Sequence, residues 1–250
     1  MRKFGLIGYP LGHSFSGNYF REKFRQAAIT DCVYSLYELE SISRLPDILK
    51  DPDLEGLNVT IPYKESVIPF LHKKDPVVTA IGASNCIRIS DGKLEGFNTD
   101  VVGFEKSLDE KLTGNDQFAL ILGSGGSSKA VAWVLQKKGI RFLFVSRKPT
   151  GQSDQILYSD LNRELMQTHT LLINTTPLGM FPDTGTCPDL PYEFTGPDHY
   201  FFDLVYNPAK TLFLEKGEAA GARIKNGADM LAIQAEASWH IWNSKAEAQD

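Results

Sequence analysis

The sequence has few cysteines, no long apolar run and no surplus of positive charge, and each shortage excludes a class of protein. Cys32, Cys86 and Cys187 are far apart and odd in number, so no disulfide framework is expected. The histidines are scattered and neither a CxxC nor an HxxxH spacing occurs, which leaves no metal site to expect. No stretch stays apolar long enough to cross a bilayer. The start, MRKFGLIGYP, reaches glycine and proline before a signal-peptide core can form. A formal net charge of -5 lacks the basic footprint that nucleic acid demands and gives no hold on an anionic membrane. The expectation is a cytoplasmic protein with free thiols, with neither a nucleic-acid nor a membrane partner, that handles a small molecule.

What is present is ordinary globular material. With 250 residues, 42% of them hydrophobic, the chain is long enough for one large domain or two modest ones. Lys3 to Ile7 is a short apolar run ahead of Gly8 and Pro10, as in a buried strand that ends in a loop. From Ser16 the spacing of Tyr19, Phe20, Phe24, Ala27 and Ala28 is helical, with Ser16 placed to cap the helix. Val33 to Leu39 and Gly56 to Ile61 read as further strands. Asp91-Gly92 sits between two apolar segments and signals a hairpin.

Beyond Phe118 the texture changes. FALILG, RFLFVS, HTLLINTT and HYFFDLVY are apolar on both faces and alternate with helical segments, the pattern of a parallel sheet covered on both sides. The fold class is therefore α/β, with two domains and a boundary in the helix after Asp100. Between the first two of these strands stands ILGSGGSSKAV. Gly123 can make the tight turn out of a strand, Gly125 admits a pyrophosphate to the backbone, and the helix amides then face that anion. Ser128 replaces the third glycine of the usual pattern, so the loop is a variant, and a plain turn is its competing reading. The strand after it runs into Ser146, Arg147 and Lys148, with no acid before Asp154. Cations rather than a carboxylate at that point favour NADP over NAD, although two adjacent cations also suit a solvated strand end.

Three clusters in the first half have chemical character, and each also has a plain structural reading. LGHSFSG presents Ser14 and Ser16, which could merely cap a helix. NVTIPYK places Lys64 after Pro62, in what reads as a first helical turn, where a lysine is usually solvated. GFNTD ends at Asp100, where either Thr99 or Asp100 could be an N-cap. Together, in this order and ahead of the glycine loop, they resemble the shikimate dehydrogenase family. The resemblance extends through GASNCI, INTTPLGM, DLVYNP and NGADMLAIQAEASWHIW, nearly the whole chain.

The resemblance implies an N-terminal α/β substrate-binding and catalytic domain over residues 1–100, joined by a C-terminal helix over 227–250. It implies a Rossmann-like NADP-binding domain over 101–226, with a cleft between the two. The implied activity is the NADPH-dependent reversible reduction of 3-dehydroshikimate to shikimate, in aromatic amino-acid biosynthesis. Carried onto this chain, Lys64 and Asp100 are the catalytic pair, with either Lys64 alone or the coupled pair as acid/base. Ser14 and Ser16 hold the substrate carboxylate with help from Tyr206, and Thr60, Asn85 and Gln234 meet the ring hydroxyls. Gly123, Ser124, Gly125, Gly126, Ser127 and Ser128 cradle the pyrophosphate. Ser146, Arg147 and Lys148 meet the 2′-phosphate, and Thr175, Pro177, Leu204 and Gly227 line the nicotinamide end. The resemblance is compatible with a monomer or a homodimer. The chain departs from the family in Cys86, usually threonine, in Gly17, usually proline, and in SRKP at the cofactor turn. Two other functions remain open at this point: a quinate-type relative, possibly using NAD, and a non-catalytic sensor of the same ligand.

Overall fold

The computed structural model describes residues 1–12, 14–148 and 154–244. Pro149 of the SRKP turn and residues 245–250 of the expected C-terminal segment lie outside these. In chain order the elements are β1 (Arg2–Gly8), α1 (Phe15–Gln26), β2 (Cys32–Glu38), α2 (Leu45–Ile48), β3 (Leu54–Val59), β4 (Lys73–Lys74), α3 (Pro76–Ile81), β5 (Cys86–Ser90), β6 (Lys93–Phe97) and α4 (Thr99–Asp109). There follow β7 (Phe118–Leu122), α5 (Gly126–Lys137), β8 (Arg141–Ser146), β9 (Gln155–Leu157), α6 (Arg163–Thr168), β10 (Leu171–Asn174), β11 (Tyr200–Asp203), α7 (Leu212–Ala219), β12 (Arg223–Asn226) and α8 (Ala228–Asn243). The chain divides into two compact units, one of Met1–Val102 joined by the chain from Leu231 onward, the other of Gly103–Met230. Among the described residues no helix is long and apolar enough to cross a membrane.

The first unit holds a mixed sheet in the order β2-β1-β3-β5-β6-β4. β1 pairs in parallel with β2 and β3, while β5 runs antiparallel to both β3 and β6. The β5–β6 hairpin turns at Asp91 and Gly92, with φ of 50° and 71°, the two left-handed positions that a tight hairpin requires. One face of the sheet carries an aromatic cluster in which Phe4, Phe20 and Trp242 are buried. Trp242 of α8 stacks on Phe4 at 4.9 Å between ring centroids and donates from Nε1 to the Ile87 carbonyl at 3.0 Å. Gly56 makes this possible, because a Cβ there would stand 2.4 Å from the Trp242 indole nitrogen. Truncating so large a buried ring costs about 3–5 kcal/mol, so α8 is anchored firmly to this sheet.

The second unit holds a wholly parallel sheet in the order β12-β11-β10-β7-β8-β9. β7, β10 and β11 occupy its middle, and Leu120, Ile121, Leu172, Ile173, Phe201 and Phe202 on them have no exposure. Such strands are apolar on both faces because helices cover both. β12 and β9, which the sequence does not flag, are edge strands with no fully buried residue; they are held by pairing rather than by an apolar pattern.

Three local expectations are corrected. The residue that caps α1 is Ser14, extended at φ -67° and ψ 125°, and Ser16 lies inside the helix as a buried residue. No helix begins at Pro62: the chain from Thr60 makes successive turns, Tyr63 to Thr60 and Val67 to Tyr63, before a single 3-10 turn over Ile68–Phe70. Lys64 therefore stands in a turn rather than at a helix N-terminus. α4 is capped by Asn98, whose side chain accepts from the Val101 amide at 3.4 Å, so Thr99 and Asp100 are first-turn residues.

Candidate functional site

In the first unit the polar side chains gather at the carboxyl ends of β1 and β3 and at the start of α4. Lys64 Nζ meets Asp100 Oδ2 at 2.6 Å, with side-chain exposures of 15% and 8%. The other carboxylate oxygen, Oδ1, accepts from Asn85 Nδ2 at 2.9 Å. Asn85 is itself clamped, its Oδ1 accepting from the Thr99 amide at 2.6 Å and its amide reaching Gln234 Oε1 of α8 at 3.4 Å. Thus Lys64 of the turn after β3, Asn85 just before β5, Asp100 of α4 and Gln234 of α8 form one contact group. A shielded ion pair of this kind is costly unless its remaining oxygens are satisfied, and Asn85 satisfies one of them.

Thr60 follows β3, and its methyl group leans on the backbone of β1, where a Cβ on Gly8 would stand 2.4 Å away. Ser14 Oγ is shielded from solvent and has no hydrogen-bond partner among the described residues. An orphaned hydroxyl in such a place is a ready donor for an anionic oxygen. Ser16 is also buried and lies against the Tyr34 hydroxyl.

Sequence reasoning did not find the residues that support this group. Tyr34 donates to Asn58 Oδ1 at 2.9 Å, Asn58 donates to Ser238 Oγ at 2.9 Å, and Ser238 lies 3.2 Å from Thr99 Oγ1. The result is a buried line of polar groups from Ser16 through Tyr34, Asn58, Ser238, Thr99 and Asn85 to Asp100. Asn58 within the apolar run GLNVTI was a signal for it: a polar residue in a core strand must have partners.

In the second unit the glycine loop joins β7 to α5. Gly123 has φ +114°, and a Cβ there would approach Thr175 Oγ1 to 2.7 Å. Gly125 caps α5 without any side-chain cap, and a Cβ on it would meet nothing within 4 Å. The space beside Gly125 at the start of α5 is thus open, a cradle that fits a pyrophosphate. Ser128 is turned away from that space, its Oγ donating to the Gly125 carbonyl at 2.6 Å. Ser124 is exposed and Gly126 and Ser127 are half-buried at the mouth of the loop.

At the end of β8, Ser146 Oγ donates to the Lys148 carbonyl at 2.6 Å, closing a turn that leaves Arg147 and Lys148 exposed. Arg147 acts on Tyr158, whose hydroxyl burial nonetheless pushes up to about 12. Thr175 binds the end of β7 through its amide at 3.0 Å and its hydroxyl at 2.7 Å, both to the Leu122 carbonyl. Gly227 approaches Leu204 so closely that a Cβ would lie 2.4 Å from its carbonyl oxygen. Thr175, Leu204 and Gly227 thus border the same carboxyl edge of the sheet as the glycine loop, with Pro177 exposed beside them. Tyr206, in the second unit and half-buried, has its hydroxyl pKa raised by that burial.

A family model for the shikimate dehydrogenase substrate binding domain matches residues 6–87. A shikimate dehydrogenase (NADP(+)) of Syntrophomonas wolfei is 34% identical over 248 residues, covering 92% of this chain and 85% of its own. The structure of shikimate 5-dehydrogenase from Thermus thermophilus in complex with NADP(H) and shikimate is 30% identical, with a TM-score of 0.85 over 97% of this chain and 94% of that one. A quinate dehydrogenase from Corynebacterium glutamicum in complex with NAD has the same fold, with a TM-score of 0.85 over 97% of this chain and 93% of that one, at 23% identity.

Proposed function

The chain belongs to the shikimate dehydrogenase family, and we propose on that footing that it catalyses the reversible NADPH-dependent reduction of 3-dehydroshikimate to shikimate. The observation that carries the reading is the shielded contact of Lys64 with Asp100, clamped by Asn85. When bound, the nicotinamide supplies the hydride. What remains for the protein is to bind, to orient and to manage one proton.

The ketone oxygen gains negative charge as its carbon is reduced, and a cation facing it stabilises that charge as it forms. Lys64 is that cation and the source of the proton; Asp100, held by Asn85, keeps the ammonium in place and takes part in its recharging. Ser14, with its unpartnered hydroxyl, and Ser16 receive the substrate carboxylate, joined by Tyr206. Thr60, Asn85 and Gln234 serve the ring hydroxyls. The glycine loop and α5 receive the pyrophosphate, and Ser146, Arg147 and Lys148 the 2′-phosphate; Thr175, Pro177, Leu204 and Gly227 border the nicotinamide. Residues 1–100 with the C-terminal helix form the substrate domain in this reading, and 101–226 the cofactor domain.

The test is direct. The purified protein is mixed with shikimate and NADP⁺, and separately with quinate and NAD⁺, while the absorbance of reduced nicotinamide is followed. Reduction with shikimate and NADP⁺ alone supports the reading. Turnover only with quinate assigns the chain to a different substrate, and binding without turnover in any pair makes it a sensor.

A further inference from the structure

Asp203 ends β11 with no solvent exposure. Its Oδ1 accepts from the Val205 amide at 2.9 Å and from Asn174 Nδ2 at 2.9 Å, and its Oδ2 accepts from the Thr211 hydroxyl at 2.5 Å. The Val205 and Asn174 N–H groups can only donate, and the Thr211 hydroxyl, which already accepts from the Leu214 amide, has its own proton to give, an arrangement that suits an ionised carboxylate. No cation is paired with it among the described residues. Burial pushes the carboxyl up to about 7, with the three donors acting against that rise. Above neutral pH the second unit therefore holds a buried, uncompensated negative charge, which a neutral asparagine of the same shape would spare it.

Where that charge sits suggests its use. Asp203 directly precedes Leu204, and its partner Asn174 directly precedes Thr175; these neighbours border the nicotinamide in the reading above, on which this inference rests. The oxidised ring carries a positive charge that the reduced ring lacks. We propose that the buried negative charge of Asp203 selectively favours binding of the oxidised, cationic dinucleotide over the reduced one. A fixed charge in a poorly screened interior acts over distances that water would quench, so no direct contact is required. By binding the oxidised form more tightly, Asp203 would shift the bound equilibrium towards the oxidised nucleotide and the reduced substrate.

The test needs no turnover. The dissociation constants of NADP⁺ and NADPH are measured by calorimetric titration at about pH 8 for the full chain and for Asp203→Asn. The asparagine oxygen keeps the Val205 and Asn174 bonds, and its amide can donate to the Thr211 hydroxyl, so the local shape survives. The expected result is a rise of about fivefold or more in the NADP⁺ constant, with the NADPH constant changed less than about twofold. Asp203→Ser, neutral and small enough to admit a water, is the second variant and carries the same expectation. Equal weakening of both nucleotides, or no change in either, overturns the proposal and leaves Asp203 a purely structural residue. If the unsubstituted chain binds neither nucleotide, the dinucleotide reading itself fails; if it binds both and the variants do not discriminate, only the charge role fails.

Discussion

In the first unit the candidate site is made of side chains that bond to one another, Lys64 to Asp100 to Asn85 to Gln234, backed by Thr99, Ser238 and Asn58. In the second it is made of backbone: a left-handed glycine, an uncapped helix start and two strand ends pressed closely together. The difference follows from what each would recognise. A small polyol acid and its reacting oxygen demand specific donors, acceptors and one movable proton. A dinucleotide is long and carries a diphosphate, and amide groups at a helix start meet that charge without any side chain. A site of side chains depends on its clamps, whereas a site of backbone depends on the glycines that keep it open or close-packed.

The largest effect that would test this contrast is Lys64→Ala. It should lower kcat by about a hundredfold or more, on the scale of losing a general acid/base, and leave NADP⁺ affinity within about twofold. It should also lower stability, since breaking a shielded pair leaves Asp100 without its cation, at a cost of about 3–5 kcal/mol for a fully buried pair and less here. Steady-state kinetics, nucleotide titration and urea unfolding read the three quantities. Near-normal turnover in the folded variant would remove Lys64 from the chemistry.

Two glycines of the second unit should then separate folding from binding. Gly227→Ala drives a methyl group into the Leu204 carbonyl, 2.4 Å away, and should cost about 1–3 kcal/mol of stability together with cofactor affinity. Gly125→Ala meets nothing within 4 Å and should cost less than about 1 kcal/mol. It should nevertheless weaken NADP⁺ by about tenfold, because the methyl fills the approach to the pyrophosphate. Equal behaviour of the two variants in unfolding and titration would refute the backbone account of this site.

A pH-dependent effect concerns Asp203. Its folded pKa, about 7, lies above the unfolded value of about 3.9, so the folded state binds the proton more tightly. Its contribution to stability is fully present below the unfolded value and is lost as pH rises through about 7. Asp203→Asn should therefore unfold later than the parent at about pH 8, by on the order of 2 kcal/mol, with the gap narrowing towards about pH 4. A gap independent of pH would mean that the carboxyl is charged in both states throughout.

Much of the second unit was legible along the chain. FALILG, RFLFVS and HYFFDLVY are apolar throughout because their strands are covered on both faces, and that is visible in consecutive residues. Gly123 is required by its φ of +114°, a demand made by a single residue and so visible at one position. The first unit was less open to reading. Ser16 looked like a cap and is a buried helical residue; Lys64 looked helical and stands in a turn. Both errors concern where a short polar segment changes direction, which neighbouring residues constrain only weakly. The edge strands β9 and β12 went unseen because pairing, not pattern, holds them.

Local periodicity and the conformational needs of single residues thus carried the α/β class, the parallel second sheet, the Asp91-Gly92 hairpin and the glycine loop, since each is a property of adjacent residues. The polar line behind Asp100 and the lone buried charge of Asp203 were settled by packing. Asn58 and Ser238 are 180 positions apart, and Asp203 meets Asn174 across two parallel strands. Whether a polar group in an apolar run is a liability or a working part depends on what the fold brings within about 3 Å of it, and that distance is written in no stretch of neighbouring residues.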